Sequence, residues 1–204
     1  MLFDDSYKTI ITVSEGIFRD KGSKFIAYAY PIKNEEEVKP IITNLKSAHG
    51  KARHFCYAYR LTSDRSIFRI NDDGEPSGTA GRPILNTLLS KDITNVLIVV
   101  VRYFGGTLLG VPGLINAYKT ASLEALNSAE IIIKTINDIY EVSFQYLQMN
   151  DVMKLIKDES LEILTQKFDI DCSLKMEIRK AQLKQVLGKF EKMEGVKLSY
   201  QYSN

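Results

Sequence analysis

The sequence predicts an α+β fold in two domains, and three observations carry that expectation. Apolar runs of strand length, some alternating and some continuous, interleave with segments of helical period along the whole chain. The last 68 residues follow the order β-α-β-β-α-β, the ferredoxin-like pattern. A polar stretch at 134–138 precedes them, so residues 1–136 are expected to form one domain and 137–204 a second.

In the first domain, residues 8–13 and 24–31 read as strands separated by polar turn residues around 19–22. Asn34 suits a helix cap ahead of Glu35, Glu36 and Glu37, whose charges favour a helix amino terminus. Val38, Ile41, Ile42 and Leu45 then form one apolar face. Residues 54–61 alternate as a strand, and 66–70 can pair with it across a turn at Ser63 and Asp64. Pro83, tolerated at the start of a helix, opens a second helix together with Arg82. Residues 93–102 are continuous and β-branched, as in a strand buried on both faces. Residues 112–129 form a third helix with Leu114, Ala117, Ala121 and Leu126 among its packing residues, and 131–136 read as a closing strand.

In the second domain, residues 140–146 alternate as a half-buried strand. Asn150 or Asp151 can cap a helix that carries Val152, Met153, Leu155 and Ile156 at helical spacing. Residues 161–168 and 170–178 are extended, with Asp169 near the turn between them. Residues 181–193 carry Leu183, Val186, Leu187 and Phe190 at helical spacing, Gly195 stops that helix, and 196–202 is a last alternating strand.

Composition narrows the class. At 204 residues, 45% hydrophobic and 25% charged, the chain reads as a soluble globular protein. It lacks both an apolar run of the roughly 20 residues a bilayer span needs and a secretory leader pattern. Cys56 and Cys172 fall in separate domains, so thiols in a reducing, cytoplasmic setting are expected. The net charge of +2 does not by itself imply nucleic acid, although residues 1–136 carry 17 Lys and Arg against 14 Asp and Glu.

Seven of the twelve glycines (74, 78, 81, 105, 106, 110 and 113) crowd into 42 positions on either side of the central strand, mixed with acidic residues and arginines. Such crowding points to backbone with positive φ or to close approach, and so to a shaped polar site at the strand ends. The segments SKFIAYAYPI (23–32), HFCYAYR (54–60), DDGEPSGTAGRPIL (72–85) and VVVRYFGGTLLGVPGL (99–114) resemble the signature of the IMPACT family, whose bacterial members are known as YigZ-type proteins. The resemblance extends over residues 5–130, and the final segment is similar to the small carboxy-terminal domain of those members. It implies a first domain similar in fold to domain IV of elongation factor G and to ribosomal-protein domains. It also implies a role near translation, because eukaryotic relatives are translation regulators that bind a large scaffold protein and so restrain a stress-activated kinase.

Each candidate residue has a chemical reading and a plain structural one. Ser77 and Thr79 lie just ahead of a helix, where free backbone N–H groups can receive phosphate or carboxylate; either can instead simply cap that helix. Asp72, Asp73 and Glu75 would repel an anion unless Arg82 or Arg102 intervened; they could hold Mg²⁺, or form an Asx turn. His54 and Cys56 project from one face of a strand, about 6–7 Å apart, too far for a ready nucleophile–base pair. Two His and two Cys cannot build an ordinary zinc quartet, and no cofactor fingerprint appears. Arg102, Tyr103, Phe104, Gly105 and Gly106, if exposed at the strand end, suit base stacking or phosphate contact. Lys51, Arg53, Arg60, Arg65 and Arg69 add a basic hairpin. The expectation is a non-enzymatic, translation-associated module without cofactor or metal, binding RNA, the ribosome or a translation-control protein, and not a membrane. The alternatives are a small enzyme acting on a phosphorylated or peptide-like substrate at the 72–82 loop, and a protein-docking scaffold.

Overall fold

The computed structural model describes residues 5–169 and 171–203. Two compact units divide the chain: Tyr7–Lys134, and Thr135–Asn204 with the described residues ahead of Tyr7. The fold is α+β in both.

The first unit is organised by β6 (Val96–Tyr103), of whose eight residues seven are buried. It is the middle strand of an antiparallel sheet whose order is β2 (Ser14–Asp20), β3 (Ser23–Pro31), β6, β4 (His54–Leu61), β5 (Ile67–Asn71). Val96, Ile98 and Val100 pack under α2 (Gly81–Lys91) and α3 (Gly110–Asn127), while Leu97, Val99 and Val101 pack under α1 (Val38–Ala48). Helices on both faces explain why the strand reads as a continuous apolar run and not as an alternating one. A separate pair, β1 (Ser6–Ile10) with β7 (Ile131–Thr135), completes the strands of this half of the chain.

The expected strand at 8–13 ends sooner, and the turn residues around 19 belong to a strand the sequence did not reveal. β2 carries Glu15, Gly16 and Arg19, which mask its alternation. Gly16 is required there because a Cβ would stand 2.2 Å from the Ala125 backbone nitrogen of α3, and Ser14 Oγ donates to the Ala125 carbonyl at 2.8 Å. Asn34 closes a capping box with Glu37, as its position suggested, on a 3₁₀ turn that leads into α1. α3 starts two residues before Pro112.

The second unit places β8 (Asn137–Gln145), α4 (Met149–Asp158), β9 (Glu162–Lys167), β10 (Asp171–Arg179), α5 (Leu183–Phe190) and β11 (Lys197–Ser203) in the βαββαβ order. Its antiparallel sheet runs β11-β8-β10-β9, and Val142, Leu174, Met176, Val152, Val186 and Phe190 fill the space between sheet and helices. Asn150 and Asp151 lie inside the first turn of α4 and do not cap it; a 3₁₀ turn at Tyr146–Gln148 makes the entry instead. Residue 170, expected to open the third strand, lies outside the described residues. Among the described residues, no helix is long and apolar enough to cross a membrane.

Candidate functional site

Apart from Arg60, the candidate residues converge where β4 begins and β6 ends, beside the loop leading into α2. In the sheet register His54 lies opposite Arg102, which brings β4, β6 and the 72–81 loop to one place. Arg102 is only 5% exposed and Glu75 9%. Arg102 Nη1 donates to Glu75 Oε1 at 2.5 Å, and the Tyr118 hydroxyl on α3 donates to the same oxygen at 2.7 Å. The guanidinium carbon lies 5.3 Å from the Phe25 ring centroid and 5.6 Å from that of Phe104, so the cation rests against two π faces as well as one carboxylate. Its buried Nε finds no hydrogen-bond partner among the described residues.

The acidic loop is satisfied from within. Asp72 Oδ1 accepts from Ala80 N (3.0 Å) and Gly81 N (2.8 Å), and Oδ2 accepts from Gly78 N (2.9 Å). The amino terminus of α2 is therefore capped by a carboxylate eight and nine residues upstream, which occupies the N–H groups of Gly78, Ala80 and Gly81 that could otherwise receive phosphate. Ser77 is exposed and makes no cap, and the Thr79 hydroxyl donates to the Pro76 carbonyl at 2.7 Å. Asp73 Oδ2 accepts from Phe55 N at 2.7 Å, and its own N–H donates to Asn71 Oδ1 at 2.7 Å. Gly74, at φ +85°, makes the turn that returns the chain toward Glu75.

His54 Nδ1 lies 2.9 Å from the Asp73 carbonyl; a carbonyl only accepts, so that nitrogen carries the proton. Its Nε2 lies 4.0 Å from Glu75 Oε1. Cys56 Sγ is 3.0 Å from the Asp72 carbonyl and 3.2 Å from the Tyr118 hydroxyl. Burial pushes the Cys56 thiol well above its ordinary pKa, with the neighbouring carboxylates adding to the rise, and burial does the same to Tyr118. Neither is poised to ionise as a nucleophile or base. Among the described residues, no group of three or more His, Cys, Asp or Glu side chains is arranged to hold a metal ion.

The sequence expectation of an exposed arginine beside two exposed aromatics therefore needs correcting. Arg102 is buried in an ion pair. Tyr103 is half-buried, and its hydroxyl lies 2.8 Å from His49 Nδ1, whose Nε2 lies 3.0 Å from the Tyr28 hydroxyl. Phe104, Gly105 and Gly106 are exposed. Arg82 is exposed and, among the described residues, has no ion-pair partner. Arg60 belongs elsewhere: it lies opposite Val96, at the far end of β4 from His54, and Asp92 holds it at 3.2 Å. Arg65 also binds Asp92, at 2.9 Å, so two arginines of the expected basic hairpin share one carboxylate, which offsets one of their two charges. Tyr118 and His49 escaped the sequence reading as site members. For Tyr118 a signal existed, since a phenol within the stripe Leu114, Ala117, Tyr118, Ala121 must find a partner once buried.

The loop 103–110 is seated by backbone contact. A Cβ on Gly105 would stand 1.9 Å from the Gly22 carbonyl carbon, and Gly105 N donates to Ser23 Oγ at 3.1 Å. Only glycine permits that approach.

Comparison with known proteins places this arrangement. The Impact N-terminal domain model matches residues 21–126, which contain every candidate residue. An IMPACT family member of Haemophilus influenzae is 35% identical over 156 residues, covering 76% of this chain and 76% of the relative. The IMPACT family member YigZ of Escherichia coli is 34% identical over 148 residues, covering 72% and 71%. A crystal structure described as that of a hypothetical protein covers 95% of this chain and 96% of its own, with 27% identity and a TM-score of 0.70. Sequence, domain model and fold agree that the chain belongs to the IMPACT family, among its YigZ-type members.

Proposed function

We propose that the first unit is a non-enzymatic recognition module acting in translation, and that it engages RNA of the ribosome through the loops at the His54–Arg102 end of its sheet. One observation carries this reading: the groups that could do chemistry there are tied up internally, while the loops they hold are presented outward. Asp72 accepts three backbone N–H groups and Asp73 one, Glu75 Oε1 receives both Arg102 and Tyr118, and the Cys56 thiol is held protonated by burial. Ser77, Arg82, Phe104, Gly106 and Leu108 remain exposed around that locked centre. A prepaid, rigid surface loses less entropy on binding than a mobile one.

Nearby charge supports an RNA partner. Arg53 is exposed and its N–H donates to the Arg102 carbonyl at 3.1 Å, while Lys24 lies opposite Tyr103 in the register. With Arg82 at the start of α2, they add three cations to the strand ends and loop that also present the exposed Phe104, and phosphates and unstacked bases favour cations and aromatics together. The family resemblance to translation regulators supports the same setting, which would place the protein in the cytoplasm.

The test is co-sedimentation with ribosomes, and gel shift with mixed cellular RNA, across a salt titration. The variant is Arg82→Glu combined with Phe104→Ala, because both side chains are exposed and neither takes part in the Arg102–Glu75–Tyr118 hydrogen bonds. Salt-sensitive binding that weakens about tenfold or more in the variant is expected. Binding that resists salt yet depends on Phe104 would show a protein partner instead, and no wild-type binding at low salt would overturn the reading. Arg102→Ala is unsuited to this purpose, since it would leave Glu75 buried and unpaired.

A further inference from the structure

On the opposite face of the same sheet, α1 covers β6 and β4 but leaves a groove of 420 Å³ between itself and the β4–β5 edge. Lys39 and Lys46 of α1, Tyr57 and Tyr59 of β4, Arg69 of β5 and Glu35 ahead of α1 line it. Tyr57 and Tyr59 are alternate residues of one strand with rings 6° from parallel and centroids 6.5 Å apart. Arg69 lies directly opposite Tyr59 in the β4–β5 register, so its side chain rises on the tyrosine face. Among the described residues, neither lysine nor Arg69 has a carboxylate within ion-pair distance.

We infer that this groove binds a segment of single-stranded RNA, with a base against Tyr57 and the phosphates along Lys39, Lys46 and Arg69. Three unneutralised cations against one carboxylate call for an anionic occupant, and the half-buried aromatic wall calls for a planar one. A nucleotide is both. Lys39 and Lys46 are seven residues apart, so their stems are separated by two helical turns, about 10.5 Å along the axis. That span exceeds one phosphate and favours a strand over a mononucleotide. Glu35 already accepts from the Tyr59 hydroxyl, and its remaining acceptor capacity suits a base amine or a ribose 2′-hydroxyl. Because Tyr59 is buried and its hydroxyl is engaged by Glu35, that part of the groove is preformed. The assignment deepens the RNA reading proposed for the sheet-end loops by giving the nucleic acid a second, separable contact.

Fluorescence anisotropy with a short labelled unstructured oligoribonucleotide tests it, with adenosine monophosphate as competitor. The variants are Lys39→Glu combined with Lys46→Glu, and separately Tyr57→Ala; Lys154→Glu combined with Lys157→Glu, on exposed positions of α4, controls for net charge. The α1 double variant is expected to lose about tenfold or more in affinity and to flatten the log–log salt slope by about 1.4, for two single-strand phosphate contacts. Tyr57→Ala is expected to lose roughly tenfold with little change in slope, and thermal melting confirms that each variant is folded. If the α1 variant binds the oligomer and ribosomes like the wild type, the groove assignment fails while the sheet-end reading stands. If the monophosphate competes as strongly as unlabelled oligomer, the strand assignment is overturned. If wild-type protein binds neither oligomer nor ribosomes, both readings fall together.

Discussion

Arg102 and Glu75 form a 2.5 Å ion pair in which both side chains are shielded from solvent, and the glutamate oxygen that receives the guanidinium also receives the Tyr118 hydroxyl. The pair joins the end of the central strand to the loop before α2 and to α3, 27 and 43 residues apart from Glu75 along the chain. Removing one partner leaves an uncompensated buried charge. Glu75→Ala is therefore expected to destabilise the first unit by about 3–5 kcal/mol in urea unfolding. Replacing both partners, as in Glu75→Leu with Arg102→Met, should recover much of that loss, because no charge is then stranded.

Asp72 accepts three backbone hydrogen bonds from Gly78, Ala80 and Gly81. Asp72→Ala leaves those N–H groups without a protein partner and is expected to cost about 2 kcal/mol. Asp72→Asn keeps two lone pairs on one oxygen and should cost less. Hydrogen exchange at Ala80 and Gly81 would report the loss locally, ahead of any global change in the unfolding midpoint.

Gly105 touches the Gly22 and Ser23 backbone so closely that no side chain can turn aside to make room. Gly105→Ala is expected to destabilise by about 3 kcal/mol and to displace the 103–110 loop. Gly106→Ala is the comparison. It has open space around its Cβ but a φ of +87°, so it should cost less, about 1 kcal/mol, from backbone strain alone. Calorimetric melting of the two variants separates steric from torsional cost.

Cys56 and Cys172 are both buried as free thiols, and burial raises the Cys56 pKa well above its ordinary value. An aromatic disulfide reagent at mildly alkaline pH should react with the native protein about a hundredfold more slowly than with the denatured chain. Fast modification of Cys56 in the native state would contradict the burial.

In the second unit Asp5 meets Arg179 at 2.6 Å, and that hydrogen bond, with the arginine charge, holds the Asp5 carboxyl below its ordinary 3.8. A depressed folded pKa stabilises wherever the unfolded group would already be ionised. The contribution is thus complete above the ordinary value and fades as pH falls through the lowered one. Asp5→Asn should lower the melting temperature at neutral pH, and the difference from wild type should shrink in acid. Added salt should shrink it too, since Arg179 is half exposed.

What the chain shows in advance depends on how far apart its cooperating residues lie. Val96–Val101, the α1 stripe and the βαββαβ order are local patterns, and all are present in the structure. β2 was hidden because the approach of α3 demands a glycine at position 16, a residue that weakens any strand signal. The candidate residues were visible as types, yet their roles were not. Nothing near Arg102 announces that a glutamate 27 positions earlier will neutralise it, and nothing near Asp72 marks it as the cap of a helix opening nine residues later. An arginine next to aromatics and glycines reads as exposed until the carboxylate that buries it is known.

The position of β6 also governs the order of assembly. β3 and β4 each pair with β6 and not with each other, so the inner edge of each lacks its permanent neighbour until residues 96–103 have been made. During synthesis the first 60 or so residues hold two apolar strands whose inner edges await a partner still untranslated, a long-range closure that slows folding and exposes unpaired backbone. The β2–β3 hairpin and α1 can form early, but cooperative stability of this unit must arrive late and at once, with the emergence of its central strand.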